Sequence, residues 1–160
     1  MPEIDVLAVA QTVVEPARRS DRAELVALMG MLFEQEVEFR PDPQAQSRGL
    51  DRILDHPDVG LILVARQGLK VVGMVNLLFT VSTALGERVA LMEDLIVLPE
   101  RRGAGVGSAL VAGAVGHARR LGCRRLTLLT DAVNDGARHF YEEQGFTCSS
   151  MVPYRMSLSA

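Results

Sequence analysis

The densest chemical signal in this chain is Val97-Leu98-Pro99-Glu100-Arg101-Arg102-Gly103-Ala104-Gly105-Val106-Gly107-Ser108. An apolar run stops at Pro99, paired arginines and alternating glycines follow, and a helix-forming stretch begins. A helix N-terminus presents unpaired backbone N–H groups and the positive end of the helix dipole. Glycines let such a backbone close on phosphate oxygens, so the segment reads as an anion site. Arg101 and Arg102 add charge-assisted donors. A Walker loop would need Gly-Lys-Ser/Thr, and the segment has no lysine. In a dinucleotide G-x-G-x-x-G fingerprint the third glycine would fall on Ser108 or Leu110, and that motif fails too. The plain alternative is a helix start without a ligand, its small residues at 112–116 serving close helix–sheet packing.

The elements that position this turn follow from periodicity. Gln11 to Pro16 predicts a short strand. Ser20 or Asp21 caps a helix that carries Leu25, Leu28, Met29, Leu32 and Phe33 at i, i+3, i+4 spacing, with Glu24 near its third position. Arg40-Pro41-Asp42-Pro43 breaks it, and a second helix runs from about Gln44 to Leu54. Three runs, Gly60 to Ala65, Leu69 to Val81 and Arg88 to Leu98, are separated only by tight turns and predict an antiparallel meander. A helix from about Gly105 to Leu121 ends at Gly122. Arg124 to Thr130 reads as a fourth central strand. Asn134 caps a helix to about Gln144 that Gly145 closes. Phe146 onward reads as weak strand, and Tyr154 to Leu158 as a last strand. The expected fold is mixed α/β, with helices flanking a mainly antiparallel sheet.

Composition narrows the class. The chain has 160 residues, 48% hydrophobic and 23% charged, which suits one globular domain over 1–160 and not a disordered chain. Six of its 14 glycines fall between Gly103 and Gly122. The net charge of -3 hides an asymmetry: residues 1–60 hold six Arg against 12 acids, while residues 101–138 hold seven Arg against two. A local basic segment on an acidic protein suits a small anionic ligand better than nucleic acid. No apolar run reaches the roughly 18 residues of a membrane span. Glu3 and Asp5 replace the basic start of a secretion signal, so a cytoplasmic location is expected. Cys123 and Cys148 form neither a disulfide framework nor a zinc pair, and His56, His117 and His139 share no ligand spacing, so no metal is expected. No G-x-S-x-G elbow supports a hydrolase.

Two further blocks complete the pattern. Arg102-Gly103-Ala104-Gly105-Val106-Gly107 resembles the Q/R-x-x-G-x-G/A loop of the GNAT-type N-acetyltransferases. Asn134-Asp135-Gly136-Ala137-Arg138-His139-Phe140-Tyr141-Glu142-Glu143-Gln144-Gly145-Phe146 is similar to that family's N-x-x-A-x-x-F-Y-E-x-x-G-F ending. Glu93-Asp94-Leu95-Ile96-Val97 resembles the strand before the loop. The three blocks span residues 93–146 in the family's order.

The resemblance implies acetyl-CoA as co-substrate and a GNAT-like fold. It implies that the loop Arg101, Arg102, Gly103, Ala104, Gly105, Val106, Gly107 and Ser108 holds the pyrophosphate. It also implies that the strand Leu95, Ile96, Val97 meets the pantetheine arm, through the backbone of Leu95 and Val97, and that Asn134 touches the arm. Asn134 serves equally well as a plain helix cap. Amide formation expels a thiolate, and the resemblance assigns Tyr141 as the general acid that protonates it; on spacing alone Tyr141 reads as a packed aromatic.

An alkylamine near pKa 10 must also lose a proton before attack. Glu93 is the expected base, because alternation places it on the face of Leu95 and Val97 while Asp94 points to the other face. A β-bulge would exchange the two acids, water alone serves some family members, and a surface ion pair is the structural alternative for Glu93.

No cysteine sits where a covalent relay would need one, so direct attack in a ternary complex is expected. In this family acceptor recognition lies in the first helices and late loops, here Glu34 to Gln46, Val81 to Glu87 and Ser149 to Tyr154. Glu34, Glu36, Glu38 and Asp42 favour a cationic acceptor. The expected partner is a small-molecule primary amine, not nucleic acid or a membrane. A homodimer, a protein N-terminus or lysine as acceptor, and a silent coenzyme A-binding module stay open.

Overall fold

The computed structural model describes residues 11–36 and 38–159. They form two compact units, one ending at Leu129 and the other beginning at Thr130. Glu3 and Asp5, which carry the reading of the N-terminus, lie outside the described residues.

The first unit is built on strands β1 (Thr12–Pro16), β2 (Gly60–Gln67), β3 (Lys70–Ser82), β4 (Glu87–Val97) and β5 (Leu126–Leu128). They pair in the order β1-β2-β3-β4-β5, antiparallel except for the parallel β4–β5 pair. The meander follows from its turns. Gly68 and Gly86 sit in the two connections with φ of +61° and +70°, a region open to glycine but not to most side chains. Strands β2 and β3 bury nearly continuous runs, with Leu63, Val64, Val72, Val75 and Leu77 wholly inaccessible. Burial of this kind contributes about 1.5–3 kcal/mol per large apolar side chain.

Helix α1 (Arg22–Gln35) buries Leu25, Leu28 and Met29 of the stripe its spacing predicts, while Leu32 and Phe33 are half-buried. Its N-cap, Asp21, makes no side-chain cap bond. Asp21 instead accepts the Arg66 guanidinium at 2.9 and 3.0 Å and the Arg18 N–H at 2.8 Å. The bond to Arg18 closes a capping box on the preceding 3-10 turn, Arg19–Asp21, and the same carboxylate makes the tertiary pair with Arg66. Helix α2 (Pro43–Leu54) starts on Asp42, whose carboxylate accepts from the Ala45 N–H at 3.1 Å, with Pro43 supplying a preset φ.

Helix α3 (Val106–Arg120) crosses the sheet on Val106, Leu110, Val111, Ala114 and Ala118. A Cβ at Gly113 would lie 2.6 Å from Val14 Cγ1, so this glycine is a packing requirement. The helix ends on Gly122 at φ +83°, with Cys123 N–H donating to Ala118 O at 2.8 Å and Gly122 N–H to Arg119 O at 3.1 Å. That is a Schellman motif.

The second unit contains helix α4 (Asp135–Glu143). Asn134 caps it, accepting from the Ala137 N–H at 3.1 Å. Its end is a second Schellman motif: Gly145 has φ +100°, and Phe146 N–H donates to Tyr141 O at 3.0 Å.

Three sequence expectations are corrected. The run Arg124 to Thr130 yields only the three residues of β5, at the edge of the described sheet and not at its centre. Residues 146–159 contain no strand, so neither the weak strand from Phe146 nor the one over Tyr154 to Leu158 is present. Val152, Tyr154, Met156 and Leu158 keep the alternation that suggested a strand, yet each is at least 70% exposed. Period-2 patterning gives a strand its faces, but only backbone pairing makes it one.

Candidate active site

The site begins with a fault in the ladder between β3 and β4. Met74 pairs with Ile96 and Asn76 with Glu93. Val75 alone therefore faces both Asp94 and Leu95, a β-bulge on β4. Asp94 has φ +56°, and no other non-glycine described residue has a positive φ. Such backbone costs energy that its surroundings must supply, and bulges commonly re-aim a side chain.

The bulge reverses what alternation predicts for the two acids. Glu93 is exposed, whereas Asp94 is partly buried and lines a cavity of about 340 Å3. Asn76, 2% exposed, donates from Nδ2 to Asp94 Oδ2 at 2.7 Å. The Asp94 carboxyl is pushed up to about 6, first by burial and then by the negative charges of Glu93 and Glu36, against the Asn76 hydrogen bond. A carboxylate that titrates close to neutrality is suited to accept a proton from an amine.

The cavity lies within the first unit. Met29 and Phe33 of α1, Phe39, Arg40 and Asp42 of the connection, and Gln46, Leu50 and Ile53 of α2 surround it together with Asn76 and Asp94. The expected acceptor segment Glu34 to Gln46 is thus part of its wall. Sequence reading passed over Asn76 as a site residue, although it interrupts the apolar run Val71 to Val81 at its middle. It also passed over Met29 and Phe33 as cavity residues, because their helical spacing reads as core.

The second feature is the turn after β4. Gly103 and Gly105 have φ of +76° and +84°, and a Cβ built on either meets nothing within 4 Å. Conformation, not crowding, demands glycine at both positions. Gly105 is the N-cap of α3, and the first bond of the helix runs from Ala109 N–H to Gly105 O at 3.0 Å. The amides of Val106 and Gly107 thus open the helix ahead of that first bond. Arg102 Nε donates to Val97 O at 3.0 Å, holding the turn against the end of β4. Arg101 Nε is buried without a partner. A turn with amides at a helix start, two arginines and an unsatisfied buried donor has the donor set a pyrophosphate requires.

Between these features, β4 loses a neighbour. Its pairing with β5 ends at Met92–Leu128, while its pairing with β3 continues to Val97. Leu95, Ile96 and Val97 therefore lie beyond the last β4–β5 pair. Asn134 and Tyr141 belong to the second unit. There Tyr141 packs edge-on against Phe140 at 5.3 Å and Phe146 at 6.0 Å.

Among the described residues, no group of three or more His, Cys, Asp or Glu could hold a metal, and no helix is long and apolar enough to cross a membrane. Cys123 and Cys148 are free thiols.

The mainly antiparallel mixed sheet and the Gly-rich helix start agree with the fold that the sequence resemblance implies. The family model of the GNAT acetyltransferases matches residues 25–146. An uncharacterized N-acetyltransferase, YhfO, of Bacillus subtilis strain 168 is 31% identical over 136 residues, covering 83% of this chain and 88% of that protein. The aminoalkylphosphonate N-acetyltransferase of Salmonella typhimurium strain LT2 is 30% identical over 142 residues, covering 89% and 88%. An integron cassette protein from the mobile metagenome of Cole Harbour Salt Marsh superposes with a TM-score of 0.81 at 26% identity, covering 96% of this chain and 93% of its own. The chain belongs to the GNAT family and is an acyltransferase of the N-acetyltransferase type, a family that uses acetyl-CoA.

Proposed function

We propose that this chain transfers an acetyl group from acetyl-CoA to the primary amine of a small molecule by direct attack in a ternary complex. The observation that carries the reading is the placement of Asp94: a strained bulge turns a carboxylate into a cavity of small-molecule size, one strand-end away from the phosphate turn. The 30% identity to an aminoalkylphosphonate N-acetyltransferase supports a small-molecule acceptor.

In this reading Arg101, Arg102, Gly103, Ala104, Gly105, Val106, Gly107 and Ser108 hold the pyrophosphate of acetyl-CoA. Leu95, Ile96 and Val97 offer the arm a strand edge, and Asn134 contacts it. The bound co-substrate supplies a thioester carbon open to a nucleophile. Asp94, not Glu93, takes the amine proton, because it lines the cavity and its carboxyl is tuned toward neutrality. Glu93 raises that tuning through its charge. The Tyr141 phenol gives a proton to the departing sulfur. The family model crosses the boundary between the two units, which supports reading 1–160 as one transferase domain.

The test is release of free coenzyme A thiol over a panel of amines, with thermal stabilisation by acetyl-CoA measured alongside. Stabilisation by acetyl-CoA together with turnover of small amines is the expected result. Stabilisation without turnover on any amine would mark a silent coenzyme A-binding module instead.

A further inference from the structure

The acceptor cavity is more than a place for an amine, because its wall is largely apolar. Phe39 sits in a connection otherwise rich in charge, between Glu38 and Arg40, yet it is 47% exposed. Its ring meets Phe33 edge-on at 5.7 Å. Met29, Leu50 and Ile53 continue the same wall, and Asp94 lines the same cavity. A half-exposed phenylalanine on a cavity lip leaves apolar surface in water, a cost that an apolar ligand would remove.

Resting on the transfer reading above, we infer that the acceptor is a primary amine carried on an apolar body, an arylalkyl or branched alkyl amine. Its ammonium meets Asp94 and its body covers the Phe33–Phe39 wall. Other acceptors fit worse on physical grounds. A polyamine would set a second charge against that wall, where burial without a partner is costly. An aminophosphonate would bring a dianion toward Asp94, Glu36 and Asp42, with Arg40 alone of the cavity's charged residues to receive it. A hydroxyalkyl amine would leave the wall uncovered.

The experiment compares kcat/KM for 2-phenylethylamine and isoamylamine with kcat/KM for ethanolamine, spermidine and 2-aminoethylphosphonate at saturating acetyl-CoA, followed by thiol release. The apolar amines are expected to exceed ethanolamine by about 30-fold or more, within the range a hydrophobic pocket can discriminate. Phe39→Ser is expected to reduce that ratio at least about fivefold, while its melting and its stabilisation by acetyl-CoA report an intact fold. Turnover highest on ethanolamine, spermidine or 2-aminoethylphosphonate would overturn this inference and leave the transfer reading standing. A Phe39→Ser enzyme with the full preference would also overturn it. No turnover on any amine, with acetyl-CoA still stabilising the protein, would overturn both.

Discussion

Asn76 Nδ2 donates to Asp94 Oδ2 over 2.7 Å, joining the buried middle of β3 to the bulge of β4. The bond fixes which way the Asn76 amide faces, and it leaves Asn76 Oδ1 buried with no partner. An orphaned buried acceptor costs about 1–3 kcal/mol. The protein carries that cost beside the carboxylate that lines the cavity.

Asn76→Leu is therefore expected to separate stability from activity. It removes the orphan acceptor but leaves Asp94 Oδ2 without its donor, so the two effects offset and thermal stability should change little. It also removes the hydrogen bond that favours the charged form of Asp94, so the acid limb of kcat/KM should move to higher pH. Burial, Glu93 and Glu36 all act in that same upward direction. A pH–rate profile with an unmoved acid limb would exclude Asn76 as a positioning residue for this carboxylate.

The two acids of the bulge give opposite expectations. Asp94→Asn should lower turnover by about 10²-fold or more, the usual range for a general base. Glu93→Gln should keep most turnover and shift the acid limb to lower pH, because it withdraws a negative charge that raises the Asp94 pKa. Collapse of activity in Glu93→Gln, with Asp94→Asn active, would hand the base to Glu93.

Tyr141→Phe should cut turnover at least tenfold while acetyl-CoA still raises the melting temperature. The phenyl ring keeps the edge-on contacts with Phe140 and Phe146. Full activity would return Tyr141 to a packing role.

Gly105→Ala forces a Cβ onto backbone at φ +84° and should destabilise the protein by about 1–2 kcal/mol. Nothing lies within 4 Å of the added Cβ, so the loss is conformational and not steric crowding. If the turn cradles pyrophosphate, stabilisation by coenzyme A should fall by more than the loss in the ligand-free protein. Calorimetric melting with and without coenzyme A separates the two effects.

Arg66→Ala would strand the Asp21 carboxylate, which is 4% exposed and bonded to Arg66 through both oxygens. Removing one partner of a buried pair costs about 3–5 kcal/mol. The Arg66 guanidinium, working against burial, holds the Asp21 carboxyl below the usual range. This contribution to stability is complete above the unfolded carboxyl pKa near 3.9 and fades as pH falls through the lower folded value. Acid unfolding of the wild type should lose that increment, and Arg66→Ala should lack it at neutral pH.

The sequence by itself determined the meander, the helix order, the Gly-rich turn and the two glycine-closed helix ends. Those features are local: periodicity, caps, and glycines whose φ no other residue readily adopts. It also carried the F-Y-E-x-x-G-F pattern, half of which the Schellman ending at Gly145 and Phe146 explains as structure. Which acid faces the cavity was a tertiary decision. Strict alternation selects Glu93, and one extra residue in β4 relative to β3 reverses the choice. Asp21 likewise reads as a local cap, and its second role, the pairing with Arg66 45 positions away in the chain, is tertiary. The tail pattern at 152–158 promises a strand, but a strand needs a partner's backbone, which no residue alternation can supply. Local chemistry is written in neighbouring residues. Register, burial and partnership depend on residues that only folding brings together.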